Sequence, residues 1–350
     1  MNRLGFEPDF ENLKATLMGG TGYRVPNVEF LVCKEIMQQY LGISELSAKD
    51  EVEFCYQAGY DFARTSCGLI DVSGVHNKDF VSEENQQDIS NGKRIWAEEY
   101  AGVIKTIEDI YSYPWPDPET MDYSDFLEKA KYLKPGMKII SVLGKIFTTA
   151  WQLFGLEKFS EMLYDNPKVI DKLLDHVADI QIRILKKVVK MDFVGAVCIS
   201  DDVAYGTGPM MSPKWLKERI FSFYRTMAEI CRNADKPFIY HSDGDITSLI
   251  DTIIETGFNA LHPIEPESLD IYKIREMVDH RLCLLGNICV HTLSIGTQEE
   301  IAGLVKDRVL NLGHFGAYCV GSSNSIPDYI PLENYKTMLH TSALYGKIRL

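Results

Sequence analysis

From residue 138 to the end of the chain, short apolar runs alternate with longer amphipathic stretches. Each run is rich in β-branched or aromatic residues and precedes a polar or glycine-containing loop, which predicts parallel strands joined by helices. Two similar runs lie nearer the N-terminus. The eight predicted strands span residues 24–31, 60–65, 138–143, 196–200, 237–241, 260–263, 282–288 and 316–320. Eight strands with helical crossovers favour an α/β fold of the (β/α)8 TIM-barrel type.

The segments between these strands complete the predicted architecture. Residues 8–20 predict an N-terminal helical extension, and residues 72–97 predict a long irregular loop because they are rich in Asn, Gly, Ser and Asp. The other predicted helices span residues 34–40, 48–58, 121–132, 157–164, 167–190, 213–233, 246–256, 271–278, 298–311 and 332–345. We expect residues 1–350 to form a single barrel domain. A doubly wound open sheet is the alternative, but the chain has no glycine fingerprint for a dinucleotide or a P-loop.

Composition narrows the class of function. The chain has 350 residues, 45% hydrophobic content and a formal net charge of -14. An acidic chain without a basic cluster is not typical of proteins that bind nucleic acid or anionic membranes. No apolar run approaches the roughly 20 residues of a membrane span, and residues 1–12 lack the apolar core of a signal peptide, so we expect a cytoplasmic protein. Eight cysteines without a CxxC pair indicate reduced thiols.

The segment PFIYHSDGD, residues 237–245, follows a predicted buried strand with a histidine and two carboxylates. His241 and Asp243 are two residues apart, so on extended chain their side chains point the same way. Parallel α/β folds place their chemistry at the carboxyl ends of the strands. The segment therefore indicates a metal-ligand or acid/base site.

Other predicted strands also end in polar residues that a packed core does not explain. These residues are Asp201, Asp202, His262, Glu265, Cys289, Ser323 and Asn324. Histidine with nearby Asp, Glu and Cys residues is typical of an open zinc site, in which three protein ligands leave one position for a substrate. General acid/base chemistry is the alternative function of the carboxylates. Helix capping is the structural alternative, above all for Asp201.

Four segments resemble the uroporphyrinogen decarboxylase superfamily: SDDVAYGTGPMMSP, the stretch from HSDGD to IRE, LLGNI, and VGSSNSIP followed by PLEN. The decarboxylase branch of that superfamily binds a polyanionic tetrapyrrole and carries an arginine-rich N-terminal segment. In this chain, residues 12–41 contain a single arginine, Arg24. Because guanidinium groups must offset the desolvation of a carboxylate-rich substrate, the resemblance favours the other large branch, the cobalamin-dependent methyltransferases.

In the coenzyme M branch of those methyltransferases, zinc is held by a His-x-Cys pair, a cysteine at the eighth strand and a nearby glutamate. This chain keeps the histidine as His241 and the glutamate as Glu265. It has Asp243 in place of the first cysteine and Asn324 in place of the second. The resemblance therefore implies a harder metal-ligand set of His241, Asp243 and Glu265, suited to zinc that polarises an ether or phenol oxygen. A metal-free site that handles protons is the alternative.

The resemblance implies a corrinoid-protein-dependent methyltransferase. Its small methylated substrate, a methoxylated aromatic, a methylamine or a thiol, is expected in the barrel mouth. Cobalamin is expected on a partner protein, because the chain lacks the DxHxxG signature. Catalysis is assigned to His241 and Asp202, and substrate binding to Asp202, Tyr205, Ser323 and Asn324.

Several alternatives stay open. Cys289 and Cys319 are less favoured metal ligands than the carboxylates. A decarboxylase acting on uroporphyrinogen or another acid predicts several arginines at the mouth and no metal. A barrel that only binds a ligand predicts an occluded mouth. A homodimer is one option for the assembly.

Overall fold

The computed structural model describes residues 4–70, 72 and 102–348. Seven strands of this part of the chain form one curled parallel sheet: β1 Phe62–Cys67, β2 Lys138–Leu143, β3 Val194–Ser200, β6 Phe238–His241, β7 Ala260–His262, β8 Cys283–Leu285 and β9 Tyr318–Cys319. Their order in the sheet follows their order in the chain. A short antiparallel hairpin, β4 Ala204–Tyr205 and β5 Gly208–Pro209, follows β3. The predicted α/β barrel-type fold is confirmed.

The first predicted strand, residues 24–31, is an irregular segment rather than a regular strand. It lies parallel to the chain after β9 through isolated bridges from Asn27 to Val320 and from Val32 to Ile326. Pro26 accepts a hydrogen bond from the Val320 N–H at 2.9 Å. It has no N–H to donate in return, which interrupts the ladder. This segment takes the eighth position of the barrel wall, while residues 73–97 of the predicted irregular loop lie outside the described residues.

The helices alternate with the strands as predicted. They are α1 Phe10–Leu17, α2 Lys34–Leu41, α3 Ala48–Gln57, α4 Ile107–Ser112, α5 Ser124–Ala130, α6 Phe147–Phe154, α7 Leu156–Asp165, α8 Pro167–Val188, α9 Pro213–Trp215, α10 Phe221–Asn233, α11 Ile250–Thr256, α12 Ile271–Val278, α13 Val290–Ile295, α14 Gln298–Asn311 and α15 Leu332–Tyr345. A π-helical turn, Leu216–Ile220, joins α9 to α10. None of the described helices combines the length and apolarity needed to cross a membrane.

The residue pattern of helix α8 explains where the helix begins and which face it buries. Pro167 occupies its first turn, where a missing N–H costs nothing. Ile170, Leu174, Val177 and further apolar residues at helical spacing are buried on one face. This face packs against the barrel wall and its neighbouring helices.

A buried ion pair lies at the N-terminal end of the barrel. Arg24 pairs with Asp61, which directly precedes β1, and both side chains are almost fully buried. The guanidinium also lies 4.2 Å from the centre of the Phe6 ring. Arg24 therefore lies at the end of the barrel opposite to the carboxyl ends of the strands, which form the mouth.

Candidate active site

The strand register brings the predicted site residues to one edge of the sheet. Ser200 at the end of β3 pairs with His241 at the end of β6, and His241 pairs with His262 at the end of β7. Asp202 and Asp243 each lie two residues beyond the end of a strand. Because parallel strands end on the same side, these five residues converge at the mouth.

Asp202, His241 and Asp243 lie together and form a triad. Each offers one possible ligand atom, and the three atoms lie within 4.8 Å of one another. The His241 Nε2 atom is 3.5 Å from Asp243 Oδ1 and 3.9 Å from Asp202 Oδ1. The side chains of Asp202, His241 and Asp243 are 31%, 15% and 39% exposed, respectively, so a ligand can reach the triad from the mouth.

Asn324 and Glu265 lie beside the triad. The Asn324 Nδ2 donates to both carboxylate oxygens of Asp243, at 3.1 and 3.2 Å, and so orients that carboxylate. Glu265 Oε2 accepts a hydrogen bond from the Gly244 N–H at 2.9 Å. Burial and the charge of Asp243 raise the pKa of Glu265. The predicted ligand set had Glu265 as its third member, whereas the possible ligand atoms that lie within 4.8 Å of one another belong to Asp202, His241 and Asp243.

Lys145 is a site residue that the sequence interpretation missed. Its Nζ lies 3.5 Å from Asp202 Oδ2. Burial alone would raise the pKa of Asp202, but the charges of Lys145 and His241 outweigh it and hold that pKa below its usual value. Burial and the neighbouring Asp202 carboxylate raise the pKa of Asp243. Lys145 follows the end of β2 by two residues, the same offset as Asp202 and Asp243, and that repeated offset was the available signal.

His262 is among the polar residues noted at the strand ends, but the sequence interpretation assigned it no specific role. Its ring is fully buried, and its Nδ1 lies 2.7 Å from His241 Nδ1, with the ring centres 4.9 Å apart. Burial and the adjacent His241 lower the pKa of His262 well below its usual value. Phe30 packs edge-on against it at 4.8 Å. Phe30 also lines a cavity of about 500 Å³ between residues 29–34 and β1.

Asp201 faces away from the mouth and caps α6. Successive residues of an extended chain point to opposite sides, so Asp201 and Asp202 cannot share one environment. The carboxylate of Asp201 is fully buried and accepts hydrogen bonds from Ile146 N, Phe147 N, Thr148 N and Tyr224 Oη at 2.6–2.8 Å. Burial raises the pKa of Asp201, while these donors oppose the rise. The capping interpretation therefore holds for Asp201.

Two predicted substrate-binding residues lie outside the triad. Tyr205 is 51% exposed on the β4–β5 hairpin, and its carbonyl accepts from the Asp245 N–H at 2.8 Å. Ser323 is buried, and its Oγ accepts from Val290 N at 3.1 Å, which stabilises the start of α13. The hairpin keeps Tyr205 next to the loop of Asp243, whereas Ser323 is engaged by α13.

The two less favoured thiol ligands also lie apart from the triad. The Cys289 Sγ donates to Glu267 Oε1 at 3.1 Å. Cys319 is fully buried beside Cys283, and burial raises the pKa of its thiol well above the usual value. A buried neutral thiol is a poor metal ligand, because metals bind the thiolate.

Comparison with known proteins places this architecture in a family. Residues 99–344, well over half of the chain, match the family model described as Uroporphyrinogen decarboxylase (URO-D). The chain belongs to the uroporphyrinogen decarboxylase family. A methyltransferase from Methanosarcina mazei has a similar solved structure, with a TM-score of 0.73 and 18% sequence identity over 98% of both chains. At that identity the likeness shows the shared fold. A search of the curated proteins finds no match.

Proposed function

We propose that this member of the uroporphyrinogen decarboxylase family is a methyltransferase. It moves a methyl group between a small methylated substrate, such as a methoxylated aromatic, a methylamine or a thiol, and a corrinoid carried by a partner protein. The observation that carries the proposal is the partly exposed triad of Asp202, His241 and Asp243 at the barrel mouth. The fold shared with a methyltransferase supports the same conclusion.

The triad fits a divalent cation such as zinc. Two ligand atoms that each lie about 2.1 Å from a tetrahedral zinc ion are about 3.4 Å apart. The separations from His241 Nε2 to the two carboxylates, 3.5 and 3.9 Å, are near that value and are too long for hydrogen bonds. One imidazole and two carboxylates leave a fourth position for the substrate. A zinc ion with one nitrogen ligand and two oxygen ligands is better suited to polarise a substrate oxygen than to bind a thiolate.

The chain's own residues have distinct roles in this proposal. A zinc ion held by the triad would supply a Lewis acid that stabilises charge on the leaving atom, and the Co(I) corrinoid of the partner would supply the electron pair for the new bond to the methyl group. When the methyl–heteroatom bond breaks, the heteroatom keeps its electron pair and lies against the triad. Lys145 keeps Asp202 ionised, and Asn324 fixes the plane of Asp243. Tyr205 borders the substrate from the hairpin.

Decarboxylation of a tetrapyrrole is less favoured. A substrate with many carboxylates needs several guanidinium groups around it. Arg24, the only arginine in residues 12–41, pairs with Asp61 at the opposite end of the barrel. It therefore cannot serve a substrate at the mouth.

Zinc content and methyl transfer test the proposal together. Purified wild type and the exposed control His340→Ala are expected to hold stoichiometric zinc, and His241→Ala only background. With a panel of methylated substrates and free cob(I)alamin as acceptor, His241→Ala should transfer methyl groups about 100-fold more slowly. Equal zinc content in all three proteins would remove His241 as a ligand. No transfer by wild type from any substrate class would refute the methyltransferase assignment.

Removing the lysine beside the triad is expected to strengthen cation binding. The ammonium of Lys145 competes with a cation for Asp202, so Lys145→Met should lower the dissociation constant for zinc about twofold to fivefold. A chelator-competition titration measures the change. Lys158→Met, which removes an exposed lysine paired with Glu161, is the control. Weaker zinc binding by Lys145→Met would instead show that the lysine organises the site.

A further inference from the structure

The two histidines at the ends of β6 and β7 share a single hydrogen bond. His241 Nδ1 and His262 Nδ1 are 2.7 Å apart, so one nitrogen must donate and the other accept. Both residues belong to paired positions of adjacent strands, which fixes the rings against each other. The direction of this bond decides what His241 presents to the mouth.

The two directions have opposite consequences at the triad. If His241 donates from Nδ1, its Nε2 carries a lone pair that points toward Asp202 and Asp243. If His262 donates, the proton of a neutral His241 is on Nε2, where the nearest carboxylate oxygens are 3.5 and 3.9 Å away. A protonated Nε2 cannot bind a cation, so a cation held by the triad requires the first direction.

The surroundings of His262 point to the same role. The side chain is fully buried, and its Nε2 has no hydrogen-bond partner in the part of the chain that the structure describes. Its only side-chain hydrogen bond there is the one to His241. An apolar residue would fill this position beside Phe30 at lower cost, since a buried polar atom without a partner is destabilising. The polarity of His262 is thus explained by what it does for His241.

We propose that His262 is a positioning residue for the triad: it accepts a hydrogen bond from His241 Nδ1–H and thereby directs the His241 Nε2 lone pair to a divalent cation. The inference rests on the proposed function only in that the triad holds such a cation. Histidine ligands commonly donate their second N–H to an acceptor that fixes the ring and the tautomer. A neutral imidazole acceptor fixes His241 without adding a third negative charge beside two carboxylates.

Cobalt titration of three proteins tests the role. His262→Asn keeps an acceptor oxygen near the position of Nδ1, whereas His262→Leu removes it. Followed by visible absorbance, cobalt affinity should fall about 10- to 100-fold in His262→Leu and stay within about threefold of wild type in His262→Asn. A purely structural role would lower the melting temperature of both variants and leave the affinity of the folded protein unchanged. Equal cobalt affinity in wild type and His262→Leu would overturn the proposal, as would a wild type that binds no cation.

The proton positions can be measured with zinc bound and without substrate. In protein labelled with 15N-histidine, long-range 1H–15N spectra assign the tautomer of each ring. We expect His241 protonated on Nδ1 and His262 on Nε2, and the reverse pattern would refute the assignment. Because neither experiment requires methyl transfer, a protein that shows the expected affinities and tautomers but transfers no methyl group would refute the proposed function alone.

Discussion

Asp201→Ala is expected to destabilise the protein by about 3–5 kcal/mol, whereas Asp202→Ala should change its stability by less than about 1 kcal/mol. Alanine at 201 leaves three backbone N–H groups at the start of α6 and the Tyr224 hydroxyl buried without their acceptor. Asp202 is partly exposed, and its loss frees Lys145, the Asp243 N–H and the Nε2 side of His241. Two adjacent acids thus have separate tasks.

Urea unfolding, with zinc affinity as a second readout, separates these tasks. Asp202→Ala should keep the unfolding midpoint and lose zinc affinity. Asp201→Asn retains one acceptor oxygen and should recover part of the stability lost in Asp201→Ala. The folded fraction of either Asp201 variant should bind zinc nearly as wild type does. A greater loss of stability from Asp202→Ala than from Asp201→Ala would show that the assignments are reversed.

Glu29→Gln is expected to stabilise the protein at alkaline pH by roughly 3–5 kcal/mol. Glu29 is 5% exposed, and burial raises its pKa from 4.5 to about 8, although Ser322 N and Oγ hydrogen-bond to it. The folded state therefore prefers the neutral carboxyl. Its contribution to stability is complete below pH 4.5, decreases as the pH rises, and is lost above about pH 8. Glutamine resembles the neutral form at every pH.

Denaturant unfolding at pH 5 and pH 9 checks this prediction. The difference in unfolding free energy between Glu29→Gln and wild type should be small at pH 5 and large at pH 9. The same substitution at the exposed Glu218 should give no such pH-dependent difference. A constant difference between the two pH values would mean that Glu29 is ionised in the folded protein across this range.

The sequence determined the alternation of strands and helices and the edge of the sheet that carries the site. Residues 138–143 are a strand, and residues 271–278, 298–311 and 332–345 are helices with the predicted bounds. These elements were predictable because local periodicity and turn residues decide them. His241 and Asp243 were recognisable because polar residues directly after an apolar strand have no place in a core.

Tertiary structure decided which groups meet. Helix α6 lacks a capping side chain of its own, and its cap is Asp201, more than 50 residues away. Lys145 and His262 lie beside the triad through strand register, and residues 24–31 form only isolated bridges. Periodicity along one segment contains no information on the distance between segments. Proton positions, ion pairs and caps depend on that distance, so they follow only once the strands are placed side by side.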